Sequence, residues 1–139
     1  MRAKDYLWQV RKLDTLIKNK LIEKRQWMDI ALGITPQMSG ERVQSTGNQQ
    51  KMACAIEKMV DIEKDIDQTI DKLVDKKREI LSVIEQLKPE RYDLLHAIYV
   101  QFQTLEEAAQ TMGKSYSWAT TNHGRALKDV QKILDKKEE

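Results

Sequence analysis

The chain has 139 residues, of which 33% are charged and 6% aromatic, and its net charge is only +2. That length suits one or two small folding units, and 5 glycines and 2 prolines are too few for the turns of an all-β fold. A net charge this small excludes a global basic field for nucleic acid, and a single cysteine, Cys54, excludes a disulfide framework.

The N-terminal stretch MRAKDYLWQV is too charged for a signal peptide, and no apolar run approaches the roughly 18 residues of a membrane span. The expectation is a soluble, cytoplasmic protein with no membrane partner. A first helix is predicted from Asp5, which can cap it, to Leu32. Leu7, Val10, Leu13, Leu16, Ile17, Leu21 and Met28 recur at three- and four-residue steps, with lysines and Arg11 mainly between them. Gly33 is a natural stop. The segment 33–48, with Gly33, Gly40, Gly47, Pro36 and several Ser, Thr, Asn and Gln residues, reads as a long loop.

A second helix is predicted from about Gln49 to Leu87. Met52, Met59, Ile66, Leu73, Ile80 and Leu87 are spaced seven apart, the repeat of a coiled-coil seam. Cys54, between Met52 and Ile56, is expected to be a small buried side chain. Asp61, Asp65 and Asp67 lack the glycine and final glutamate of a calcium loop and read as a solvated face, so no metal is expected. Two long helices with one apolar stripe each imply an antiparallel, coiled-coil-like hairpin over residues 1–87, because each stripe needs a partner to leave water. Part of the longer seam stays uncovered, which leaves room for a homodimer through the long helices.

Pro89 suits the first turn of a new helix and opens a second region, 88–139. Three helices are predicted there. The first runs from Glu90 to Phe102, with Leu94, Leu95, Ile98, Tyr99 and Phe102 inward. The second runs from Leu105 to Met112, with Thr104 and Glu107 forming a capping box. The third runs from Tyr116 to Lys136 and is capped by Ser115. Ala109, Gly113 and Ala119 are small where two helices meet at a tight turn, and Gly113 can take the left-handed conformation that such a turn needs. That spacing fits a helix-turn-helix whose second helix reads DNA. Ser115, Tyr116, Ser117, Trp118, Thr120, Thr121 and Asn122 would supply hydroxyl, amide and aromatic contacts. Lys114, Arg125 and Lys128 lie in a stretch, Lys114–Lys128, without an acidic residue. Yet region 88–139 as a whole balances eight basic against eight acidic residues. Affinity from this module alone should therefore be modest, and a dimer or protein partner would help it.

The bland alternatives are a generic helical corner and ordinary caps, or a module that docks on a protein with Trp118 as anchor. His96 reads as a core-edge residue and His123 as a surface residue of the third helix. No constellation of catalytic residues is visible, so neither an enzyme nor a cofactor is expected.

The stretch TLEEAAQTMGKSYSWATTNHGRALKDV resembles region four of bacterial sigma factors, which reads a promoter element. The matching features, in register without a gap, are Thr104-Leu105-Glu106-Glu107, Ala109, Gly113, Ser115, Ala119 and Arg125-Ala126-Leu127. With a long helix like DIEKDIDQTIDKLVDKKREIL before it, the layout also resembles small phage and prophage regulators of Gram-positive bacteria. The resemblance implies an all-α protein of a bacterial host cell. Its helical hairpin would be followed by a three-helix, sigma-region-four-like module that binds double-stranded DNA. RNA polymerase is an implied second partner. Thr104 and Leu105 would sit at the phosphate backbone and the Ser115–Arg125 face would enter the major groove. The outward positions of the sigma reader helix carry arginines, a glutamate and a glutamine, whereas this chain has Tyr116, Ser117, Trp118, Thr120 and Thr121. The sigma target sequence therefore does not transfer.

Overall fold

A computed structural model of the chain describes residues 1–33 and 45–138, the side chains of 45–48 excepted. All regular structure among the described residues is helical: α1 (Ala3–Ala31), α2 (Ser45–Ile84), α3 (Pro89–Leu95), a π-helical turn (His96–Val100), α4 (Leu105–Thr111) and α5 (Tyr116–Glu138). No described helix is long and apolar enough to cross a membrane.

Several local signals act as expected. Gly33, at φ +70°, ends α1 with its N–H donating to the Ile30 carbonyl at 3.1 Å. Pro89 occupies the first turn of α3, where its missing N–H costs nothing. Other boundaries differ. Because α1 begins at Ala3, Asp5 lies in its first turn rather than capping it. The predicted loop 33–48 lies mostly outside the described residues, and its last four are already helical, so α2 starts at Ser45 instead of Gln49.

The single helix predicted over Glu90–Phe102 is two pieces. After Leu95 the hydrogen bonds widen: the Gln101 N–H donates to the His96 carbonyl at 3.0 Å and the Gln103 N–H to Ala97 at 2.9 Å. Phe102 closes the turn at φ 60°, a left-handed conformation that costs a non-glycine residue about 1–2 kcal/mol. Its ring packs at the core edge, with the Arg11 guanidinium 5.5 Å above it.

The chain divides into two compact units, residues 1–14 with 72–139 and residues 15–71. This differs from the expected boundary at 87/88, because one end of each long helix belongs with the C-terminal third. In the first unit Tyr6, Leu7 and Val10 of α1 share one buried core with Ile80, Val83 and Ile84 of α2. Leu94, Leu95, Ile98 and Tyr99, Ala108 and Ala109 of α4, and Ala119, Ala126, Val130 and Leu134 of α5 complete it. Polar bonds fix the same arrangement. The Tyr6 hydroxyl donates to Glu79 Oε2 at 2.7 Å, and the Ala3 N–H donates to Gln131 Oε1 at 2.7 Å.

In the second unit Ile17, Ala31, Ala55 and Ile66 are buried, and Lys20 and Lys24 pair with Asp65 (3.6 Å) and Glu63 (2.7 Å). Cys54 is exposed, contrary to expectation, and Ala55 takes the inward position. A step of one residue turns a side chain by about 100° on a helix, enough to move it off the inner stripe.

Candidate nucleic-acid interface

The site is organised by the turn between α4 and α5. Thr104 caps α4, its Oγ1 accepting the Glu107 N–H at 3.1 Å. At the other end of α4, Gly113 takes φ +68°. Its N–H donates to Gln110 (3.1 Å) and the Lys114 N–H to Ala109 (2.9 Å), the two bonds of a Schellman closure. Ser115 then caps α5 by accepting the Trp118 N–H on its Oγ at 3.0 Å. Two caps and one left-handed glycine thus fix the change of direction within residues 112–115. Ala108, Ala109 and Ala119 are buried, so small side chains fill the contact between α4 and α5.

Helical spacing sorts the remaining candidates. Ser117, Thr121, Gly124 and Lys128 follow at steps of four, three and four residues and form one outward strip, flanked by Thr120 and Arg125; all six are exposed. The Thr120 hydroxyl donates to the Tyr116 carbonyl at 2.9 Å, which fixes its rotamer and leaves its methyl and oxygen toward solvent. Tyr116 stands at the start of α5 with 59% of its surface exposed.

Two candidates do not join the strip. Trp118 is half-buried against the core, with the Lys114 ammonium 5.5 Å from its ring. Asn122 is also half-buried, and its Nδ2 donates to the Trp118 carbonyl at 2.9 Å. Both flank the inner face of α5, and Trp118 is a poor interface anchor in this position. Thr104 lies on another element, where its oxygen serves the helix end.

Electrostatics sharpen the strip. No acidic residue occurs between Lys114 and Lys128, and the next one, Asp129, turns inward to pair with Arg91 of α3. His123, expected at the surface, also turns inward. It stacks on Tyr99 with centroids 5.8 Å apart, and its Nε2 lies 2.7 Å from the Tyr99 hydroxyl. Burial, with the nearby Lys4 charge, holds the His123 imidazole below the ordinary histidine range. His96 sits at the core edge as expected, hydrogen-bonded to Gln101 at 2.8 Å.

Gly124, a glycine in the interior of α5, has three readings from sequence: close packing, close approach to DNA, or a bend. A side chain built there meets nothing within 4 Å, so internal packing does not require glycine. Its position four residues before Lys128 and three after Thr121 was the available signal for the approach to DNA. Among the described residues no group of three His, Cys, Asp or Glu side chains is placed to hold a metal ion. Comparison with known protein families, with curated proteins and with solved structures yields no match.

Proposed function

We propose that this protein is a phage-type transcriptional regulator that binds promoter DNA through α4 and α5, with α5 as the reader in the major groove. The observation that carries the proposal is the outward strip of α5. It is exposed, free of acidic residues and built of hydroxyls, one bare glycine and the cations Arg125 and Lys128. Hydroxyls and threonine methyls suit base edges and thymine methyls, while the cations suit phosphates. The Schellman turn at Gly113 gives the corner that a sigma-region-four-like helix-turn-helix needs. Thr104 and Lys114 would lie along the phosphate backbone beside it.

The long helices are read as an antiparallel, coiled-coil-like hairpin. Lys20 pairs with Asp65, and Lys24, one turn further along α1, pairs with Glu63, a step backward along α2. Such a hairpin would present the DNA-binding module or meet RNA polymerase.

The test is retention of fragments of the parent genome by the full chain. Thr120→Ala, Thr121→Ala and Arg125→Ala together should abolish specific retention while helicity stays intact. Unchanged retention would remove α5 as the reader. A second reading, docking on a protein without DNA readout, is favoured by the equal numbers of acidic and basic residues in 88–139. Salt separates the two, because DNA binding should weaken steeply from about 50 to 200 mM.

A further inference from the structure

We propose that the α1 segment 15–31 and the α2 segment 49–71 form a dimerisation surface whose partner is a second copy of this chain. Among its described residues the unit 15–71 has little core of its own. The buried apolar residues there are Ile17, Ala31, Ala55 and Ile66, two of them alanines. Larger side chains remain in water: Ile22 is 58% exposed, Ile56 49%, Leu21 48%, Met52 47%, Val60 44% and Met28 40%. Two helices alone offer each other one stripe, and a second layer is needed to cover the next.

Five of these residues share a side, and Ile22, turned by about 100° from Leu21, lies off it. Met52, Ile56 and Val60 follow at four-residue steps along α2, and Leu21 and Met28 are seven apart on α1. The pairs Lys20–Asp65 and Lys24–Glu63 set the register of the two segments. Because both helices rise about 1.5 Å per residue in opposite directions, the mean of these two pairs sets Met28 level with the Ile56–Val60 turn, so both helices contribute to one apolar surface.

Charge selects a second copy as the occupant. The α1 segment 15–31 carries four basic and two acidic residues, whereas the α2 segment 45–71 carries three basic and six acidic. A twofold axis along the helices lays each basic α1 segment on the acidic α2 segment of the other copy, the two contacting helices running antiparallel. An axis across the helices would stack like on like. The charges of the two segments are thus self-complementary, as an isologous contact requires. The contact also doubles the DNA-binding modules per particle, which suits a module of low net charge, but it does not depend on the DNA reading.

The experiment is sedimentation equilibrium of the full chain without DNA. The wild type should have twice the 16.3 kDa chain mass down to about 1 μM. Ile56→Glu with Val60→Glu, and separately Leu21→Glu with Met28→Glu on the other helix, should each reduce it to the single-chain mass with helical circular dichroism retained. Tyr116→Ala, outside the surface, should remain dimeric. A wild type of single-chain mass at about 50 μM, or a mass above the dimer's, would overturn the proposal. So would a variant on either helix that keeps both its helicity and the dimer mass.

Discussion

Tyr99 and His123 tie the π-helical turn to α5 through a 2.7 Å hydrogen bond between two rings stacked at an interplanar angle of 17°. Burial and the Lys4 charge lower the His123 pKa from its ordinary 6.5. Below about pH 6.5 the unfolded chain therefore binds a proton that the folded chain refuses. Stability should fall as pH drops from that point toward the lower folded value, and His123→Gln should make the fall shallower. At the alkaline end, burial pushes the Tyr99 hydroxyl from 10.0 up to about 12. Its contribution is present below pH 10 and lost as pH rises toward 12, so Tyr99→Phe should flatten part of that loss. Urea denaturation across both ranges measures the slopes. A wild-type slope equal to that of the variant would show that the ring pair is not the titrating element.

The shared core makes the N-terminus part of the unit that holds α3, α4 and α5, the module proposed to bind DNA. Leu7 is fully buried in the cluster that contains Ala109, Ala119 and Val130. Leu7→Ala should cost about 2–5 kcal/mol, the range for a truncated core leucine. Thermal unfolding of α5 and loss of DNA retention should shift together, although Leu7 is far from residues 104–128 in sequence. Retention that survives while α1 melts would show that the module stands alone.

The legible parts of the fold are those written locally. Pro89, Thr104, Gly113 and Ser115 act on backbone groups within six residues of themselves, and each does what its residue type dictates. The contacts that were not legible join distant positions: Tyr6 with Glu79, Ala3 with Gln131, Arg91 with Asp129 and Tyr99 with His123. Nothing in a helical period names such partners. The period also gives which side of a helix is apolar but not whether anything reaches it. The predicted seam of α2 is accordingly buried at Ile66 and Ile80 and open at Met52. At the candidate site the acid-free stretch was legible as composition, whereas the inward turn of Trp118 and His123 required the phase of α5 to be known.

Lys128 and Thr120 should separate affinity from specificity. Lys128 ends the outward strip and, on the proposed function, meets a phosphate. Lys128→Ala should weaken retention uniformly across sequences and reduce the salt slope by about 1. Thr120→Ala removes a fixed methyl and hydroxyl that, on the same proposal, face base edges. It should change the ranking of selected sites by about 1–3 kcal/mol at one base pair and leave the salt slope unchanged. Fluorescence anisotropy at several salt concentrations reads both quantities. Equal effects of the two variants would argue against a base-reading strip.

Gly113 and Gly124 should respond in opposite directions to the same substitution. At Gly113 a methyl has space, but φ +68° is left-handed, so Gly113→Ala should destabilise by about 1–2 kcal/mol through the backbone alone. At Gly124 the backbone is helical and a methyl again meets nothing within 4 Å. Gly124→Ala should therefore stabilise the fold by about 0.8–1 kcal/mol, the helix-interior cost of glycine. A residue that weakens its own helix without serving the core belongs where something outside approaches the backbone closely. On the proposed docking, the added methyl stands between α5 and the groove. Gly124→Ala should then raise the unfolding midpoint in urea and weaken DNA retention in the same preparation. A more stable variant that binds as tightly as wild type would remove Gly124 from the interface and leave the cations and threonines to carry it.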